Sequence, residues 1–186
     1  PWINLLPPTI VVGVANVDRR RDFTYPSTDG EFVAAYPGTG QSARFIRFIE
    51  EELQPLVRSR YPIDQQREAL IGQSLGGLLA TEILFKKPDL FDTYFIVSPS
   101  LWYDYESLLA SEPVAYTQPK SIYVAVGKEG KVMQRGAKKL YQKLRKGNTT
   151  GSKLSFAYFK KHDHGDVLHQ AIYTGFTELY GTQKEE

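Results

Sequence analysis

Apolar and polar positions fall along this chain in two rhythms, and each change of rhythm marks the end of an element. Short runs rich in β-branched and aromatic residues, closed off by Gly, Pro or polar residues, read as strands buried on both faces. They are Thr9–Ala15, Glu68–Gly72, Thr93–Val97, Ser121–Val126 and Leu154–Phe159. Between them the apolar positions recur at helical spacing. Phe45, Phe48, Ile49, Leu53, Leu56 and Val57 mark a helix within Gln41–Tyr61, with Ser42 as a candidate cap and Pro55 as a kink. Leu75–Lys87 reads as a helix stopped by Pro88, and Val132–Arg145 as a basic amphipathic helix stopped at Gly147-Asn148. Val167–Tyr180 is the last helix, and a short one is expected around Tyr105–Ala110. The stretch Val17–Gly40, with Gly, Pro, Asp and Ser scattered through it, reads as a long functional loop. The tail Gly181–Glu186 should fray. Strands separated by helices predict a mostly parallel sheet with helices on both faces, and a site beyond the carboxyl ends of the strands.

Composition narrows the picture only slightly. With 186 residues, the chain suits one core of ordinary size, so 1–186 is read as a single domain. A formal net charge of +2 gives no global reason to expect a nucleic-acid or membrane partner. No apolar run approaches the roughly 20 residues of a spanning helix. The absence of cysteine excludes disulfides, thiolate metal sites and cysteine nucleophiles, and leaves the compartment open. The chain begins with Pro1 rather than Met, which suggests a preceding segment or a cut.

The chemistry concentrates in Ala69-Leu70-Ile71-Gly72-Gln73-Ser74-Leu75-Gly76-Gly77. This is G-x-S-x-G between an apolar strand and a helix, the context a nucleophile elbow requires. A serine there projects above the sheet from a sharp turn. Gly72 and Gly76 are expected to leave room for crowded backbone, and Gly77 to let the helix approach closely. The helix start places the Leu75 N–H and a partial positive charge where an oxyanion would form. No Lys-Ser or Lys-Thr follows the glycines, so the loop is not a phosphate cradle.

A serine hydroxyl needs a base. The histidines are His162, His164 and His169. In this type of fold the base follows the last strand, and His164 fits, with Gly165 beside it to allow a tight turn. His162 is the competitor, and His169 falls within the last helix. His162, Asp163, His164 and Asp166 are metal-ligating residue types without a recognised ligand spacing, so neither metal nor cofactor is expected. A third residue should orient the imidazole. Glu129, after the strand Ser121–Val126, stands at the right place in chain order. Asp104 and a Ser–His dyad without an acid are the alternatives.

Several segments together carry a resemblance. They are Val12-Gly13-Val14-Ala15-Asn16, Asp18-Arg19-Arg20-Arg21-Asp22, the elbow, Lys87-Pro88-Asp89-Leu90-Phe91-Asp92, Ser98-Pro99-Ser100-Leu101-Trp102 and Asp163-His164-Gly165. The chain resembles the Putative esterase family of α/β-hydrolases, and within it the ferric-siderophore esterases that hydrolyse enterobactin- and bacillibactin-type trilactones. It is also similar to feruloyl esterases, S-formylglutathione hydrolase and mycolyltransferases. The resemblance implies an α/β-hydrolase fold with Ser74 as nucleophile, His164 as base and Glu129 in the acid position, although some siderophore esterases are described as working with a dyad. It implies that Gln73 and Trp102 border the substrate cavity. Arg19 and Arg21, with Arg20, are candidates for binding catecholate oxygens or an anionic ferric complex. A solvated basic turn paired with Asp18 and Asp22 is the competing reading.

Family members also carry a long segment before the equivalent of Thr9. It supplies further strands, one of them between the strands at Thr9–Ala15 and Glu68–Gly72, and the second oxyanion donor. The chain is therefore expected to be the C-terminal part of a longer catalytic domain lacking its N-terminal strands, or to close its sheet with a partner copy. Loss of one oxyanion donor typically costs on the order of a hundredfold in turnover. The expected activity is hydrolysis of a small carboxylic ester through an acyl-enzyme. A non-catalytic binding protein and an acyltransferase are the alternatives.

Overall fold

The computed structural model describes residues 6–16, 18–147 and 151–181. Its centre is a four-stranded parallel sheet in chain order: β1 (Ala69–Gln73), β2 (Thr93–Val97), β3 (Ser121–Gly127) and β4 (Lys153–Phe159). The register runs straight across, with Ala69 beside Thr93, Thr93 beside Ser121 and Ser121 beside Lys153. The four carboxyl ends therefore finish at one rim of the sheet.

Side-chain alternation along the strands feeds two cores. Tyr94, Ile96, Ile122, Val124 and Val126 point to one face. There they meet α5 (Leu75–Lys86) through Leu78 and Ile83, and α7 (Gly130–Lys146) through Ala137, Leu140 and Leu144. Phe95, Val97, Tyr123 and Ala125 point to the other face and pack under α8 (Val167–Tyr180) through Val167 and Ala171. The strands read as continuous apolar runs because both faces are covered.

Outside α5 lie shorter elements. Asp18 caps α1 (Arg19–Phe23) by accepting from the Arg20 and Arg21 N–H groups, and Asp29 caps α2 (Gly30–Ala35) in the same way. These caps turn the expected long loop into two short helices with connections. The helix expected within Gln41–Tyr61 is α3 (Ser42–Phe48) and α4 (Gln54–Arg60), joined without a break by a π-helical turn, Ile49–Leu53. Pro55 lacks the N–H for a bond one turn back, and the wider turn just before it takes up the mismatch. Gln41, not Ser42, stands at the N-cap.

Two expectations need correction. Thr9–Ala15 forms no strand; Val11 is 88% exposed. A β-branched run becomes a strand only beside a neighbour that completes its hydrogen bonds, and β1 lies at the sheet edge with Ile71 47% exposed. The helix near Tyr105–Ala110 is shorter, α6 (Ser107–Ala110). Before it, Asp104, Tyr105 and Glu106 all take positive φ, 49°, 56° and 63°. Among the described residues no helix is long and apolar enough to cross a membrane.

Candidate active site

The rim formed by the strand ends carries the site. Ser74 follows β1 directly, at φ 61° and ψ −120°, a conformation an L-residue avoids unless its surroundings enforce it. The enforcement is visible. Ser74 N–H donates to the Val97 carbonyl at 3.1 Å, and the Ser74 carbonyl accepts from Leu78 and Ser100 N–H groups, both at 3.0 Å. A Cβ on Gly72 would lie 2.2 Å from the Gly76 oxygen, and one on Gly77 2.9 Å from Pro99 Cα. Gly72 and Gly77 thus allow the turn to close. A Cβ on Gly76 would meet nothing within 4 Å, so the room expected of that glycine is not needed there; it is the Gly76 backbone that requires glycine at position 72.

Glu129 and His164 come from the next two loops on the same side. Glu129 lies between β3 and α7, with its side chain only 3% exposed. His164 lies between β4 and α8, with its ring 46% exposed. Its Nδ1 is 2.5 Å from Glu129 Oε2. A carboxylate there holds the proton on Nδ1 and leaves Nε2 able to accept another. The Gln73 amide donates to the His164 carbonyl at 2.8 Å, tying the histidine loop to the end of β1. Ser74, Glu129 and His164 line one open cleft of about 590 Å³ together with Ser100, Trp102, Met133, Asp163 and Gly165. Ser100 Oγ is 3.4 Å from Ser74 Oγ. The Leu75 N–H lies in the first turn of α5, among groups that have no acceptor within their own helix.

A sequence profile described as Putative esterase matches residues 4–169. The chain belongs to this family. Ferri-bacillibactin esterase BesA of Bacillus subtilis is 32% identical over 183 residues, covering 87% of this chain and 63% of the relative. The crystal structure of BES protein from Bacillus cereus has a TM-score of 0.74 at 30% identity and covers 85% of this chain and 62% of its own. An IroE-like serine hydrolase from Shewanella oneidensis has a TM-score of 0.74 at 26% identity, with 89% and 57% covered. The fold is that of the α/β-hydrolases. The chain spans less than two thirds of the length of each of these three proteins.

Within this esterase frame the other expected site residues fall in different places. Trp102 lines the cleft and is 44% exposed. Gln73 serves the histidine loop rather than the cleft lining. Arg19 and Arg21 are not among the lining residues. Arg21 grips Asp22 with two hydrogen bonds of 2.7 and 2.9 Å, and Arg19 lies 5.9 Å from the Phe23 ring centre. The Arg21 hydrogen bond holds the Asp22 carboxyl below its ordinary range. His162 pairs with Asp166 at 3.2 Å, and His169 lies exposed on α8. Asp104, the alternative acid, is committed elsewhere: it accepts from Ser27 and Ser107 hydroxyls and from the Thr28 hydroxyl and N–H.

Sequence reasoning passed over Ser98, whose hydroxyl donates to Glu129 Oε1, and Gly127, whose N–H donates to the same oxygen at 2.9 Å. It also passed over Ser100 and Met133 as lining residues. The Ser98-Pro99 stop after β2 was the available signal, because strand ends at this rim face the site.

Proposed function

We propose that this chain carries the reaction centre of a serine esterase that hydrolyses small carboxylic esters through an acyl-enzyme. The observation that carries the reading is the Glu129–His164 pair lining the same cleft as Ser74. In this mechanism His164 Nε2 takes the Ser74 proton while Oγ bonds to the ester carbonyl carbon. The oxyanion forms at the Leu75 N–H and the positive end of α5. The carbon–oxygen bond to the alcohol then breaks, and His164 returns the proton to the leaving alkoxide. Water repeats the sequence: His164 takes its proton, hydroxide adds to the acyl carbon, and the acid departs as Ser74 regains its hydrogen. Glu129 keeps the imidazole in the productive tautomer and offsets its transient charge.

For the substrate we propose a siderophore ester. The support is the likeness in sequence to a ferri-bacillibactin esterase of Bacillus subtilis and to a siderophore triacetylfusarinine C esterase of Aspergillus fumigatus. The open cleft, lined by Ser74, Trp102 and Met133, suits a bulky acyl group with aromatic rings.

A fluorophosphonate probe is expected to label Ser74, and Ser74→Ala is expected to abolish labelling and reduce ester turnover by roughly a thousandfold or more. A folded protein left unlabelled by the probe would overturn the reading. A panel of ferric siderophores, feruloyl esters and short acyl esters then tests the substrate, with the highest kcat/KM expected on a siderophore ester.

A further inference from the structure

We propose that Ser98 is a positioning residue, a clamp that holds Glu129 in the one orientation from which it can serve His164. The inference rests on the esterase reading above and adds to it a residue that acts through the carboxylate. Ser98 follows β2, is fully buried, and stands at φ 44°. That is left-handed backbone, where glycine fits without strain and any L-residue is disfavoured. Its N–H donates to the Ala125 carbonyl at 2.7 Å, which fixes the backbone beside β3. Its hydroxyl donates to Glu129 Oε1. The strained residue therefore contributes one polar side-chain atom, and that atom is spent on the carboxylate. Ser74, the other strained serine, stands at the end of the neighbouring strand.

Glu129 is a side chain in need of such a clamp. It has one more methylene than aspartate, so more torsional freedom must be lost to aim it. It stands at the N-cap of α7 yet makes no side-chain capping bond there. Instead Oε1 accepts from Ser98 Oγ and from Gly127 N–H, while Oε2 faces His164 Nδ1. With Oε1 held by two donors, the plane of the carboxylate is set and Oε2 is directed at the imidazole. Water has little access to replace a lost donor, because the Glu129 side chain is almost fully buried.

Ser98→Gly removes the hydroxyl while keeping a backbone suited to positive φ. In this variant kcat is expected to fall on the order of tenfold, the scale of one hydrogen bond to a charged group, with KM within about twofold of the parent. The thermal midpoint serves as the folding check. Glu129→Gln is the second arm. The proposal predicts that Ser98→Gly adds little further loss in the Glu129→Gln background, since the clamp then has no carboxylate to aim. Ser98→Gly at parental kcat, or a loss that multiplies in full onto that of Glu129→Gln, would refute the clamp while Ser74 labelling stays intact. If the parent protein is not labelled at Ser74, the esterase reading fails and the clamp fails with it.

Discussion

Asp104 shows how a single carboxylate can hold a strained turn. It sits in a run of three left-handed residues just after Trp102, a conformation that costs an L-residue roughly 1–2 kcal/mol each. Ser27, Thr28 and Ser107 donate to it, and those bonds hold the turn against that strain. Burial alone would raise the Asp104 carboxyl, but the hydrogen bonds from Ser107, Thr28 and Ser27 outweigh it, and the group lies below its ordinary value. A depressed folded value means stability that is present above the unfolded pKa of about 3.9 and is lost as pH falls through the folded one. Asp104→Ala is therefore expected to destabilise the protein by about 1–3 kcal/mol at neutral pH. Urea melts of both proteins should show the gap shrinking as pH drops below about 4. A gap that stays constant down to acid pH would assign the carboxylate no ionic role.

Among the elements, the loop joining β3 to α7 is tightly constrained. A Cβ on Gly127 would lie 2.6 Å from the His162 carbonyl oxygen and 2.8 Å from Glu129 Oε1. The Lys128 N–H donates to that same His162 carbonyl at 2.6 Å. The loop that carries the acid and the loop that carries the base are thus fastened to each other through backbone, where no side chain can move aside. Gly127→Ala is expected to push the loops apart, lowering kcat by roughly tenfold or more through lost alignment of the pair. It is also expected to cost about 1–3 kcal/mol of stability, as an overpacked site does. Steady-state kinetics and a denaturant melt together check this; parental values in both would show that the contact is slack.

For the molecule as a whole, the two faces of the sheet are held differently. One is covered by α5 and α7, with α1 and α3 outside α5, while among the described residues α8 alone closes the other. Gly175 lets α8 come down onto the sheet: a Cβ there would be 2.9 Å from the Tyr123 ring and 3.0 Å from the Phe95 ring. Both rings are fully buried and so have little room to yield. Gly175→Ala is expected to lower stability by about 1–3 kcal/mol, read as a fall in the urea midpoint. Since α8 begins at Val167, three residues after His164, ester turnover should weaken with it. An unchanged midpoint would mean that α8 rides higher than described.

The order of elements was legible from the chain alone, because a strand buried on both faces and a helix with one apolar stripe leave different periods in the sequence. β2 and α8 begin and end where those periods predict. The elbow was legible too, since Gly72, Ser74 and Gly77 act within one turn, and so was the chain order of Ser74, Glu129 and His164. Thr9–Ala15 was misread because strand propensity does not reveal whether a neighbour is there to pair with it. The left-handed run Asp104–Glu106, the Ser98 bond to Glu129, and the seat of α8 on Gly175 depend on residues far apart in sequence meeting in space. Periodicity reports which face a residue shows; only the assembled fold decides what stands opposite that face and how close it comes.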